Sequence, residues 1–188
     1  MTPLEDVLVR PRMVWRYYED TLEALRTFRH ALVDGSSVVA GSRFFGMPPS
    51  QVQDELEFVR AELDNQVTLA LVAAFEAILR VDAMQRVLLR LKDPTSQRFK
   101  AVAKRCAAKN QPFDRVDLSA VLKIWRDSVH GGERDFELFG KLMSFRHWLA
   151  HGRYWTLKIG PPPDPATARN IAEAVFARLP KFTPPSFS

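Results

Sequence analysis

Three observations predict an all-α fold, an up-down bundle of about five to six helices. Apolar residues recur with helical periodicity nearly everywhere, and no stretch alternates like a strand for more than a few residues. The run from Val67 to Leu79 is apolar on almost every side, the mark of a helix buried at the centre of a bundle. Glycine and proline punctuate the chain between the periodic segments. The length of 188 residues fits one compact domain. A composition 46% hydrophobic and 26% charged excludes a disordered chain. No internal repeat or low-complexity tract is present.

The first helix is expected from about Arg12 to Val33, with Val14, Tyr17, Thr21, Ala24, Leu25, Phe28 and Leu32 on one side and Asp34-Gly35 as its stop. The glycines and prolines between Ser36 and Pro49 mark a loop that carries Phe44 and Phe45. Ser50, with Gln53 three residues on, reads as a capping box. From it a second helix should continue, kinked near Asp64-Asn65, to about Lys92. Pro94 then separates off a short basic helix, Ser96 to Lys109, with an apolar stripe of Phe99, Val102, Ala103 and Cys106. Asp117 can cap a helix from Leu118 to Val129, ended by Gly131-Gly132. A further helix runs from Asp135 to His151 and stops at Gly152. Asp164-Pro165 supplies a cap and a proline at the first helical position for the last helix, Ala166 to Leu179. Residues 1–50 are read as an N-terminal helix and loop packed on the bundle, 51–180 as the bundle itself, and 181–188 as a tail.

The single cysteine, Cys106, excludes a disulfide framework and a cysteine-based zinc site. No apolar run is long enough to span a bilayer, and residues 1–10 lack the apolar core of a signal peptide. A cytoplasmic protein with no membrane contact is expected. Lysine and arginine number 27 against 22 acids, a net charge of +5, and nineteen of the basic residues are arginine, the side chain best suited to phosphate. Eight of them (Arg86, Arg90, Lys92, Arg98, Lys100, Lys104, Arg105 and Lys109) face only Asp93 between positions 86 and 109. Such a stretch suits a polyanion, whether nucleic acid or an acidic partner, although a solvated helix face has the same composition.

The segment Phe145-Arg146-His147-Trp148-Leu149-Ala150-His151-Gly152-Arg153-Tyr154-Trp155 gathers two of the four histidines and two of the four tryptophans at a helix C-terminus. Arg146 and His151 make an Arg-x4-His spacing, common by chance when taken alone. The fuller pattern, Arg-His-x-x-Ala-His-Gly-Arg-Tyr-Trp, resembles the signature of HEPN domains, in the form found in bacterial RiboL-PSP-type members. The motif covers about ten residues, and the helical layout extends the likeness over Gln51 to Leu179. The resemblance implies metal-independent RNA cleavage by a homodimer whose motif helices meet, with Arg146 and His151 as the paired functional residues. His147 fills the polar position after the arginine. It also implies a toxin-like or defence role, with a nucleotidyltransferase-like antitoxin as the kind of partner that restrains toxic members. Silent members bind RNA, a nucleotide or a protein instead.

Helical geometry bears on the same residues. Positions five apart differ by about 140° and 7.5 Å along the axis, so Arg146 and His151 cannot share one narrow face. His147, Ala150, His151 and Tyr154 share a face, and Arg146, Ala150 and Arg153 share the adjacent one. A two-fold axis near Ala150 would bring both sets from two chains into one cleft. For RNA the 2′-hydroxyl is an internal nucleophile, so no cofactor or metal is required. A histidine can take its proton, the symmetry mate can protonate the leaving 5′-oxygen, and Arg146 can brace the phosphorane. Arg153, Tyr154, Lys100, Lys104 and Arg105 are the candidate RNA contacts. Tyr154, Trp155 and Trp148 could stack bases, although Trp148 also reads as core.

Two blander readings stand beside this one. Cationic histidines are favoured at a helix C-terminus by the dipole. His147 and His151 also have the i, i+4 spacing of a zinc pair, but no convincing third ligand is apparent. Glu76 lies in the apolar run and needs a cationic partner there. Either Arg80, one turn on, supplies it, or Glu76 reaches the motif helix and orients Arg146 or a histidine. Residues 1–50 would cover the cleft, enlarge a dimer interface or complete the core.

Overall fold

The computed structural model describes residues 3–35, 40–153, 156, 160 and 162–179. The fold is all-α. Among the described residues it consists of six α-helices: α1 (Pro3–Val33), α2 (Pro49–Leu88), α3 (Pro94–Ala107), α4 (Leu118–Arg126), α5 (Glu133–Ala150) and α6 (Pro165–Arg178). A single 3-10 turn, Phe113–Arg115, joins α3 to α4, and no strand is present among these residues. The 40-residue α2 is the axis, and every other helix packs against it. Its run from Val67 to Leu79 buries Leu71, Val72, Phe75, Ile78 and Leu79 completely, as an apolar helix surface must in a bundle centre. Phe75 and Phe139 both lie against the ring of Phe176, which ties α2, α5 and α6 into one core.

Helix α1 starts nine residues before the expected Arg12, because Pro11 does not end it. Pro11 is buried, and the upstream turn carries buried Val7 and the Asp6–Arg10 ion pair at 2.9 Å. The buried or half-buried positions Val7, Pro11, Val14, Tyr18, Leu25 and Leu32 follow a seven-residue repeat along α1, which packs antiparallel on α2. This register buries Tyr18 and leaves Tyr17, expected inside, 57% exposed. The Tyr18 hydroxyl donates to Asp64 Oδ1 at 2.7 Å. Burial, and then the neighbouring Asp64 carboxylate, push the Tyr18 phenol up from 10.0 to about 12. The neutral phenol is therefore favoured by folding: its contribution is complete below pH 10 and is lost as pH rises through about 12. An ultraviolet absorbance titration of the native protein should show one tyrosine ionising only near pH 12, and Tyr18→Phe should remove that late component.

The capping box does not form. Pro49 sits in the first turn after Pro48, so α2 begins one residue before Ser50, and Gln53 donates to Glu57 instead. Helix α2 runs unbroken through Asp64 and Asn65, because the Asp64 carboxylate is turned toward Tyr18 rather than back on its own chain. It ends at Leu88, short of Lys92, in a Schellman turn: Arg90 N–H donates to Val87 O and Leu91 N–H to Arg86 O, with Arg90 left-handed at φ 52°. Helix α3 begins at Pro94, two residues before the expected Ser96, and Asp93 caps it, accepting from Ser96 N at 3.0 Å and Ser96 Oγ at 2.6 Å. Asp117 and Asp164 cap α4 and α6 as expected. No described helix is long and apolar enough to cross a membrane.

Candidate functional site

Helix α5 opens at Gly132, φ 100°, where an added Cβ would lie 2.6 Å from Arg178 Cδ; the Arg178 guanidinium reaches over this turn to Asp135. From there Phe136, Phe139, Leu142, Phe145 and Leu149 form the buried stripe. That stripe fixes the rotation of the last two turns. Arg146 flanks it and points toward α2, whereas His147, Ala150 and His151 lie on the exposed side. The two functional candidates thus occupy different sides of α5, as their five-residue spacing requires.

Arg146 meets Glu76. Its Nη2 lies 3.9 Å from Glu76 Oε2, an ion pair too long to be a hydrogen bond, and its Nε is buried without a hydrogen-bond partner. Arg80 holds the other oxygen, donating from Nε to Oε1 at 2.8 Å and from Nη1 to Val116 O at 2.6 Å. Both partners considered for Glu76 are therefore present, one on each oxygen. The carboxylate side chain is 16% exposed and the Arg146 side chain 35%. Two guanidiniums share one carboxylate, and the looser of them faces the α5 surface with N–H capacity to spare.

His147 and His151 lie one turn apart with ring centroids 4.2 Å apart and planes tilted by 54°. The helix then closes in a second Schellman turn, with Gly152 N–H donating to Leu149 O and Arg153 N–H to Trp148 O. Gly152 (φ 81°) and Arg153 (φ 60°) are both left-handed. This turn swings Arg153 back to α2, where it forms a two-pronged pair with Glu62, Nη1 to Oε2 at 2.9 Å and Nη2 to Oε1 at 2.7 Å. The Arg153 hydrogen bonds hold the Glu62 carboxyl below its usual range, and the carboxylate in turn raises Arg153. The Arg153 guanidinium also lies 5.9 Å from the Trp148 ring, which stacks on buried Phe145. Trp148 is thus half-buried as a ledge between core and surface. Gly152→Ala should cost about 1 kcal/mol through left-handed strain, since nothing crowds the new methyl group, and urea denaturation measures it.

Tyr154 and Trp155 lie outside the described residues. The basic stretch is only partly a surface. Arg86, counted with it from the sequence, is 2% exposed and belongs to the core, where it pairs with Asp82 at 2.7 Å and covers the Trp125 ring at 4.7 Å. Arg98 donates to Asp127 O and Lys100 to Leu91 O, so both are tied to backbone, while Lys104 and Arg105 are exposed. Helices α3 and α5 do not pack on each other; both pack on α2. The α3 cations and the α5 motif are therefore separate features of the surface. The contact that sequence reasoning missed is Glu62, one acid among several near the start of α2. Its pairing with Arg153 spans 91 positions and leaves no local signal.

No protein-family model matches the chain, and neither a curated protein nor a solved structure matches it. Among the described residues no three His, Cys, Asp or Glu side chains are grouped so as to hold a metal ion.

Proposed function

We propose that the chain is a metal-independent endoribonuclease of HEPN type, acting as a homodimer through α5. The observation that carries this reading is the end of α5. There Arg146, loosely anchored at 3.9 Å by the carboxylate of Glu76, is followed directly by His147, the first of an exposed histidine pair. A guanidinium held by a long ion pair can turn to a phosphate at little cost, because Arg80 keeps Glu76 neutralised. Ala150, small and exposed between His147 and His151, lets a second α5 approach closely.

In this mechanism one imidazole takes the proton of the 2′-hydroxyl as that oxygen attacks the adjacent phosphorus. Arg146 stabilises the charge on the pentacoordinate phosphorane through its N–H groups. The bond to the 5′-oxygen breaks, and an imidazolium of the partner protomer gives that oxygen its proton. The products are a 2′,3′-cyclic phosphate and a 5′-hydroxyl, with no net consumption of protons or metal. Glu76 acts as a positioning residue for Arg146. Lys104 and Arg105 supply longer-range attraction for the strand, and Arg153 joins them only where a phosphate competes with Glu62. A toxin-like role restrained by a nucleotidyltransferase-like antitoxin belongs to the same proposal.

The test compares an RNA oligonucleotide with DNA of the same sequence. The RNA should be cut and the DNA left intact, because DNA has no 2′-hydroxyl to attack. Equal cleavage of both would overturn the mechanism. Binding of RNA without cleavage would favour a silent binding module.

A further inference from the structure

Away from α5, the end of the α1–α2 pair nearest Val33 and Pro49 carries a trough that the ribonuclease reading does not use. Two adjoining cavities of about 430 and 190 Å³ share Arg29, Gln53 and Leu56, so they form one continuous groove. Helix α1 packs chiefly on α2, with the α6 residue Arg169 over the Trp15 ring at 4.8 Å as a further contact, and no third helix among the described residues lines the groove. The floor is apolar, with Leu25, Leu32, Val52 and Leu56 half-buried. The walls carry Arg26, Arg29 and Arg60, all exposed and none in an ion pair among the described residues. The acid lining the groove is Glu57, which accepts from Gln53. Nearby Arg43 is already taken by Glu55 at 2.7 Å.

We propose that this groove docks an acidic amphipathic helix of a partner protein. An aliphatic floor between unpaired arginines is complementary to a helix with leucine-like residues on one face and carboxylates flanking them. The groove extends alongside α1 from Leu22 to Val33, about 16 Å at 1.5 Å per residue, which matches three turns of a docked helix. A second copy of this chain presenting the same groove would set arginine against arginine. Of the two phenylalanines lining the groove, Phe44 is packed edge-on to Phe28 and covered by Arg43 at 4.5 Å, while Phe45 is exposed and adds apolar surface for a leucine-like face.

The test uses a fluorescent helical peptide with leucines at i, i+3, i+4 and i+7 and glutamates elsewhere, beside the same peptide with lysine for glutamate. The glutamate peptide should bind the full chain at least about ten-fold more tightly than the lysine peptide. The double variant Arg26→Glu/Arg29→Glu should reverse that preference, while Arg134→Glu, the same kind of change at the start of α5, should leave it in place. Circular dichroism confirms that these surface variants stay folded. Equal affinity for the two peptides, or a preference untouched by the double variant, would overturn the proposal. So would single-stranded RNA binding that the double variant abolishes while neither peptide binds. Ribonuclease activity is read separately with the RNA oligonucleotide, so failure here is distinguishable from failure of the α5 site.

Discussion

Arg146→Ala is expected to lower RNA cleavage by a factor of about 10² to 10³, the loss seen when one preorganised donor to a transition-state oxyanion is removed. His151→Ala should cost about 10² to 10⁴, the range for a lost general acid or base. Both variants should keep the wild-type fold. Arg146 makes only a long ion pair, and Glu76 retains its 2.8 Å bond to Arg80 after the change. His151 is exposed at the helix cap and fills no core volume. Glu76→Gln should fall between wild type and Arg146→Ala in activity, because the amide keeps the shape but not the charge that holds Arg146. Single-turnover cleavage rates measure all three, with far-ultraviolet circular dichroism and sedimentation confirming fold and assembly.

The largest effect on stability is expected at Arg86. Its guanidinium is buried among Asp82, Asp93, Ser96 and the Trp125 ring. Arg86→Ala removes the partner of Asp82, which is 7% exposed, and opens a cavity over Trp125. A loss of about 3–5 kcal/mol follows, the usual cost of leaving one half of a buried ion pair. Burial already pushes the Asp82 carboxyl up, against the pull of Arg86, so without Arg86 the neutral acid is favoured further. A group whose folded value is raised adds stability at low pH and loses it as pH rises through that value. Urea denaturation should therefore find Arg86→Ala less destabilised in mild acid than at neutral pH. Replacing Asp82 and Arg86 together by leucine and methionine should recover most of the loss, since no uncompensated charge is left inside.

The fold was legible where a single segment carried its own signal. The apolar stretch of α2 announced the bundle axis because no solvent-facing side remained in it. Asp117 and Asp164-Pro165 announced two helix starts because caps act within four residues. Misreadings arose where a partner distant in sequence decided the outcome. The first helix was expected from Arg12, yet it continues upstream through buried Pro11 to Pro3. Arg90 takes the left-handed position where glycine usually ends a helix, so the end of α2 had no visible marker. Arg86 read as surface charge because Trp125, which it covers, lies 39 positions away along the chain.

The candidate site divides in the same way. Glu76 was conspicuous as a carboxylate in an apolar run, and the need to neutralise it pointed to Arg80 and Arg146 alike. The i, i+4 spacing of His147 and His151 placed them on one face without further information. The Arg153–Glu62 pair depends on a turn that reverses the chain after Gly152, and only the packed helices bring its two ends together.

The central claim is that the end of α5 performs ribonuclease chemistry, and one measurement tests it most directly. Purified protein, free of any co-purifying partner, is incubated with total RNA in excess EDTA beside Arg146→Ala and His151→Ala, and the new RNA ends are identified. Cleavage by the wild type alone, leaving 2′,3′-cyclic phosphates and 5′-hydroxyls, is the predicted result. An inert wild type, or cleavage that both variants retain, would contradict it.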